Sequence, residues 1–118
     1  TGGTIMGVNK ILKIMKSTAK VIQVQPEESN ATHGIQGIND GEDFLLDKSI
    51  LDGVIYVKTS DAIKRAKRLA KENGLLVGIS AGANVLAAEQ WVAENNPEHP
   101  VVTILCDRGE RYFSCYED

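Results

Sequence analysis

At 118 residues the chain has room for a single domain with a modest core. Its 42% hydrophobic content, 25% charged content and formal net charge of -3 are ordinary for a globular protein and argue against a dedicated nucleic-acid binder. No apolar run approaches the roughly 18 residues needed to cross a bilayer, and the first residues carry no export signal, so a cytoplasmic protein with no membrane partner is expected.

The sequence opens on "TGGTIMGVNKILKIMK". Ile5, Val8, Ile11, Leu12 and Met15 recur at helical spacing with lysines between them, which predicts an amphipathic helix starting near Thr4. "KVIQVQP" is a β-branched run stopped by Pro26, and "DGVIYV" is a second short apolar run led by a glycine turn; both read as strands. The polar and glycine-rich stretch between them, residues 27–50, reads as a long loop of a length that usually serves function. Ser60 and Asp61 are placed to cap the next helix, which ends at Asn73 and Gly74. "LLVGIS" reads as a buried strand, "AGANVLAAEQWVAENN" as a helix stopped by Pro97 with Trp91 packed on the sheet, and "VVTILCD" as a final apolar strand. Alternating helices and strands predict an α/β fold, a parallel sheet flanked by helices, with ligands at the carboxyl ends of the strands.

Cys106 and Cys115 stand nine apart without the close pairing of zinc ligands, so no metal site is expected and both read as reduced structural thiols. The basic run "DAIKRAKRLAKENG" has no interleaved aromatic residues and reads as the solvated face of a helix.

Two segments can carry chemistry. In "TGGT" the glycines let backbone amides approach an anion, Thr1 and Thr4 add hydroxyls, and the helix that follows contributes its positive end. Gly-Gly is also ordinary turn chemistry, so this segment alone leaves phosphate binding and a plain turn both open. It is not a Walker loop, which would end in Gly-Lys-Ser/Thr. "GISAGAN" repeats the arrangement, with Ser80 at the end of a strand and Gly82 opening a helix; the hydroxyl there is either a helix cap or a ligand contact.

Taken together and in order, "TGGTIMGV", "HGIQGI", "GLLVGISAGANV" and "CDRGERYFS" resemble the carboxyl-terminal part of the cysteine synthase (O-acetylserine sulfhydrylase) family, fold type II enzymes dependent on pyridoxal 5'-phosphate that include cystathionine β-synthase. The resemblance runs over nearly all of residues 1–118 and implies part of the large cofactor-binding domain. It implies that Thr1, Gly2, Gly3 and Thr4 hold the cofactor phosphate, that Ser80 meets the pyridine nitrogen, and that Gly37 belongs to a loop closing on the substrate. The implied reaction is β-replacement or β-elimination on cysteine, serine or O-acetylserine through an aminoacrylate. The implied partners are a small amino-acid substrate, a second copy in a homodimer and, in some relatives, serine acetyltransferase.

The departures from the pattern carry expectations of their own. No lysine stands in the Lys-Asp-Arg context of the family's Schiff-base lysine, and the loop that grips the substrate carboxylate is absent, so the amino-terminal half is expected to lie outside these residues and the chain alone to be inactive. A non-catalytic fragment retaining only the phosphate loop is the alternative from another class. Where the family usually continues "IQGI" with Gly-Ala-Gly, this chain has Asn39, Asp40 and Gly41. A carboxylate at Asp40 is placed either as a solvent-facing loop acid or as a catalytic group that contacts the substrate and activates water, converting cysteine to serine with release of hydrogen sulfide. Ala81 replaces a second serine common in cysteine synthases, and Cys106 and Arg108 stand where Pro and Ser are usual.

Overall fold

A computed structural model describes residues 2–28 and 45–116. The predicted opening helix is α1, Gly3–Ile14. It ends where Lys16 adopts a left-handed φ of 54° and the Ser17 amide donates back to the Leu12 carbonyl at 2.9 Å, a closure more often made by glycine. Ile5 and Leu12 are half-buried, but Val8, Ile11 and Met15 of the same stripe stay exposed.

β1, Ile22–Pro26, and β2, Gly53–Val57, form a parallel pair with Ile22 opposite Gly53 and Pro26 opposite Val57. Asp52 pins the start of the pair: its carboxylate accepts from the Val21 amide at 2.7 Å, and its own amide donates to the Val21 carbonyl at 2.9 Å. One face presents Ile22, Val24, Ile55 and Val57 to the core. On the other face Gln23 is only 1% exposed, and its amide donates to the Gln25 side chain at 2.9 Å. Parallel strands are commonly covered on both faces, and here polar residues occupy one of them.

α2, Thr59–Asn73, and α3, Ile79–Asn95, pack on each other and close the core over the first face through Ala62, Ile79, Ala83 and Ala87. They approach so closely at Gly82 that a Cβ there would overlap the Ala62 carbonyl oxygen. α2 ends at Gly74 with φ 68°, as predicted, and α3 at Asn96 with φ 43°, just before Pro97. Trp91 packs against the core with the Lys20 ammonium 5.8 Å from its ring centre. A short helix, α4 (Phe113–Tyr116), follows a 3-10 turn at Gly109–Tyr112.

Three expectations are corrected. Of the four predicted strands two form. Residues 75–80 make a single antiparallel bridge, Val77 to Arg108, and 101–106 form no ladder among the described residues, with Val102 88% exposed. A strand needs a neighbour for its backbone groups, and among the described residues neither run has one alongside over its length. Ser60 and Asp61 do not cap α2 but lie inside it; the cap is supplied by Glu28, whose carboxylate accepts from the Thr59 amide at 3.0 Å and from the Thr59 hydroxyl at 3.0 Å. The described part of the 27–50 stretch contains a 3-10 turn, Lys48–Ile50, capped by Asp47. Among the described residues no helix is long and apolar enough to cross a membrane.

Candidate functional site

The predicted site residues that are described stand at two helix amino termini. Gly2, Gly3 and Thr4 form the start of α1, and Ser80 lies in the first turn of α3, because the helix begins two residues earlier than the spacing predicts. Thr1, Gly37 and Asp40 lie outside the described residues.

Gly2 caps α1 in the left-handed conformation, φ 84° and ψ 4°, which a side chain adopts only with strain. A Cβ at this position would also sit 2.9 Å from the Leu46 Cβ, so both the backbone and the neighbour require glycine. Gly2 has no side chain with which to cap the helix and no acid occupies the helix's first turn, while Lys13 sits in its last turn. A helix amino end presents backbone amides and the positive end of its dipole, a combination that favours anions. Thr4 adds an exposed hydroxyl beside it.

Ser80 is half-buried and its hydroxyl has no hydrogen-bond partner among the described residues. The α3 amino terminus likewise has no side-chain cap and no acid in its first turn. The helix-cap reading of the Ser80 hydroxyl is thus not what the structure displays; Gly78 is the cap residue.

The turn into α3 is gripped by the carboxyl-terminal segment. The Gly78 amide donates to the carbonyls of Cys106 and Asp107 at 3.2 and 3.3 Å, and the Gly109 amide donates to the Leu76 carbonyl at 3.2 Å. The Tyr116 hydroxyl donates to the Val77 carbonyl at 2.8 Å, and the Tyr112 hydroxyl to the Asp107 carboxylate at 2.6 Å. That bond and burial push the Tyr112 phenol up to about 12. Sequence reasoning gave Asp107 and Tyr112 no role. The signal that was present is Asp followed closely by Gly, since Asp tolerates the left-handed conformation that Asp107 adopts at φ 58°.

Cys106 is half-buried, and the Asn84 amide lies 3.5 Å from its sulfur. Burial, with Asp107 beside it, pushes the thiol up, which fits the inert structural thiol expected and not a nucleophile. A groove of about 730 Å3 between α2 and α3, lined by residues including Tyr56, Lys58, Arg65 and Glu89, holds none of the predicted site residues. Its half-buried guanidinium, Arg65, is already paired to Glu89 at 2.7 Å.

Comparison with known proteins places this geometry. Cysteine synthase B of Campylobacter jejuni is 44% identical over 124 aligned positions, covering 97% of this chain and 40% of that protein. The structure of cysteine synthase from Entamoeba histolytica superposes with a TM-score of 0.83 at 38% identity, over 96% of this chain and 36% of that one. A hydrogen sulfide-producing enzyme, solved as an aspartate-to-asparagine mutant with an α-aminoacrylate intermediate, superposes with a TM-score of 0.82 at 36% identity, over 96% and 36% of the two chains. The chain thus spans about two fifths of the length of the curated relatives it matches. The family model of pyridoxal-phosphate dependent enzymes matches residues 1–107, and the chain belongs to that family.

Proposed function

We propose that these residues are the carboxyl-terminal part of the cofactor domain of a cysteine synthase-like enzyme. Its reaction is β-replacement or β-elimination on cysteine, serine or O-acetylserine. The observation that carries this reading is the amino end of α1 opened by left-handed Gly2, a cradle that a Cβ would fill. The residues present fit pyridoxal 5'-phosphate: Gly2, Gly3 and Thr4, with Thr1, hold the phosphate against the helix end, and Ser80 offers the ring nitrogen a free hydroxyl. When bound, the cofactor supplies the electron sink for breaking bonds at the amino-acid α-carbon. A neutral hydroxyl at Ser80 orients the ring by a hydrogen bond without placing a full charge beside its nitrogen. Gly37 closes on the substrate, and the Schiff-base lysine comes from polypeptide beyond these 118 residues. A homodimer and a small amino-acid substrate belong to the same reading.

A second reading is favoured by the likeness to the hydrogen sulfide-producing enzyme. In it Asp40 holds and deprotonates a water molecule, so that cysteine is converted to serine and sulfide leaves.

The test is the visible absorption of the full-length protein that carries these residues, purified with pyridoxal 5'-phosphate, before and after cysteine is added, with sulfide and serine assayed in parallel. A cofactor band that changes on mixing supports the enzyme reading. A full-length protein that takes up no cofactor refutes it and leaves the non-catalytic reading. Unchanged serine and sulfide formation in Asp40→Ala would remove the second reading alone.

A further inference from the structure

Ser80 stands two residues beyond Gly78, and the first turn of α3 is built on the Gly78 carbonyl, which accepts from the Ala81 amide at 3.1 Å and the Gly82 amide at 3.3 Å. The orientation of that turn follows the orientation of the Gly78 residue. Gly78 is in turn held on its amide side by the carbonyls of Cys106 and Asp107, a bifurcated bond at 3.2 and 3.3 Å. Those two carbonyls converge on one amide in a stretch where Asp107 has a φ of 58°, a conformation that L side chains resist. Something must hold Asp107 there, and the structure offers the Tyr112 phenol, bonded to its carboxylate at 2.6 Å. The same ring presses on the turn directly: a Cβ on Gly78 would lie 2.9 Å from the Tyr112 Cε2, 2.9 Å from the Asp107 Cβ and 2.9 Å from the Cys106 carbonyl oxygen. Arg111 stands 3.8 Å from the other side of the Asp107 carboxylate.

We propose that the Asp107–Tyr112 pair is a positioning device for the Ser80 hydroxyl: by locking the left-handed Asp107 against the Gly78 amide, it aims the first turn of α3, and the hydroxyl it carries, at the pyridine ring. Both members are positioning residues that act through Gly78. The inference rests on Ser80 being the partner of the ring nitrogen, and it adds what sets that hydroxyl in place.

Pyridoxine 5'-phosphate tests it, because it carries the phosphate and the pyridine ring without an aldehyde and so needs no lysine to bind. Its affinity and that of inorganic phosphate are measured by titration calorimetry for the wild type, Ser80→Ala, Tyr112→Phe, the double variant and Asp107→Asn. Tyr112→Phe is expected to weaken pyridoxine 5'-phosphate by roughly threefold to tenfold, the effect of one hydrogen bond, and to leave inorganic phosphate unchanged. The double variant should bind no more weakly than Ser80→Ala, since the two changes act on one contact. Asp107→Asn, which keeps an oxygen for the phenol to donate to, should bind like the wild type. If Tyr112→Phe does not fold, Asp107→Ala removes the same bond while keeping a side chain that resists this φ, and should give the same selective loss. Equal weakening of both ligands, or losses that add in the double variant, overturns the positioning role while the cofactor reading stands. Unchanged ring binding in Ser80→Ala overturns the Ser80 assignment, and the positioning role with it.

Discussion

Gly7 and Gly82 are both interior helix residues, and the structure gives the same substitution opposite signs at the two. Gly7 lies in α1 with nothing within 4 Å of a would-be Cβ. Alanine there gains the helix propensity that glycine lacks, about 0.5–1 kcal/mol. At Gly82 the same gain applies, but a Cβ would overlap the Ala62 carbonyl oxygen and approach the Ala66 amide nitrogen to 3.0 Å. These are backbone atoms of α2, so no rotamer change makes room, and Ala62 and Ala66 are 0% and 1% exposed, so the interface has no slack. Overpacking of this kind costs about 1–3 kcal/mol, and more where backbone must move. Net of propensity, Gly82→Ala should lose about 1–2 kcal/mol, or roughly 4–8 °C of melting temperature for a domain of this size. Gly7→Ala should gain about 2–4 °C. Thermal unfolding followed by far-ultraviolet circular dichroism reads both. A Gly82→Ala protein as stable as Gly7→Ala would refute the helix crossing as described, and with it the placement of α3 and its first turn.

Glu28 is expected to stabilise α2 from outside it. Hydrogen bonds from its own amide and from Thr59 hold its carboxyl below the ordinary 4.5, so its contribution is present above that pH and is lost as pH falls through the lowered value. Glu28→Ala should cost about 1 kcal/mol at neutral pH in urea denaturation, a difference that closes in acid once the wild-type carboxyl is protonated. Gly2→Ala combines left-handed strain of about 1–2 kcal/mol with the 2.9 Å approach of Leu46, and should lower both melting temperature and inorganic phosphate affinity. Tyr112 is held neutral by its bond to Asp107 and by burial, with its phenol at about 12. Its stabilising effect is complete below the ordinary pH 10 and is lost as pH rises through 12, and tyrosinate absorbance should show this step vanish in Tyr112→Phe.

The helices were legible because their ends are written in local chemistry. Gly74 closes α2 in the conformation that made it a terminator on paper, and Asn96 and Pro97 close α3 in the same way. The glycines of "TGGT" were legible for a related reason: a position needing φ 84° announces itself by residue type. The start of α3 was not, because "LLVGIS" is β-type in composition, whereas the Gly78 amide bonds to residues 106 and 107 and its carbonyl opens a helix at Ile79. The burial of Gln23 in β1 was not legible either, since nothing local says which face of the strand is covered.

What escaped the sequence altogether is the pairing across distance that holds Ser80. Asp107 and Tyr112 lie inside a stretch that resembles a family motif, yet their spacing says only that both are near a turn. Their consequence appears when 106–112 is laid against 76–79, a register fixed by the Gly109 amide on Leu76 and the Tyr116 hydroxyl on Val77. Local signals thus reveal which groups can bind an anion or a ring. Tertiary packing decides where those groups point. On the proposed positioning role, ring binding at this site depends on Tyr112 through its bond to Asp107, a dependence that no reading of the motifs would suggest.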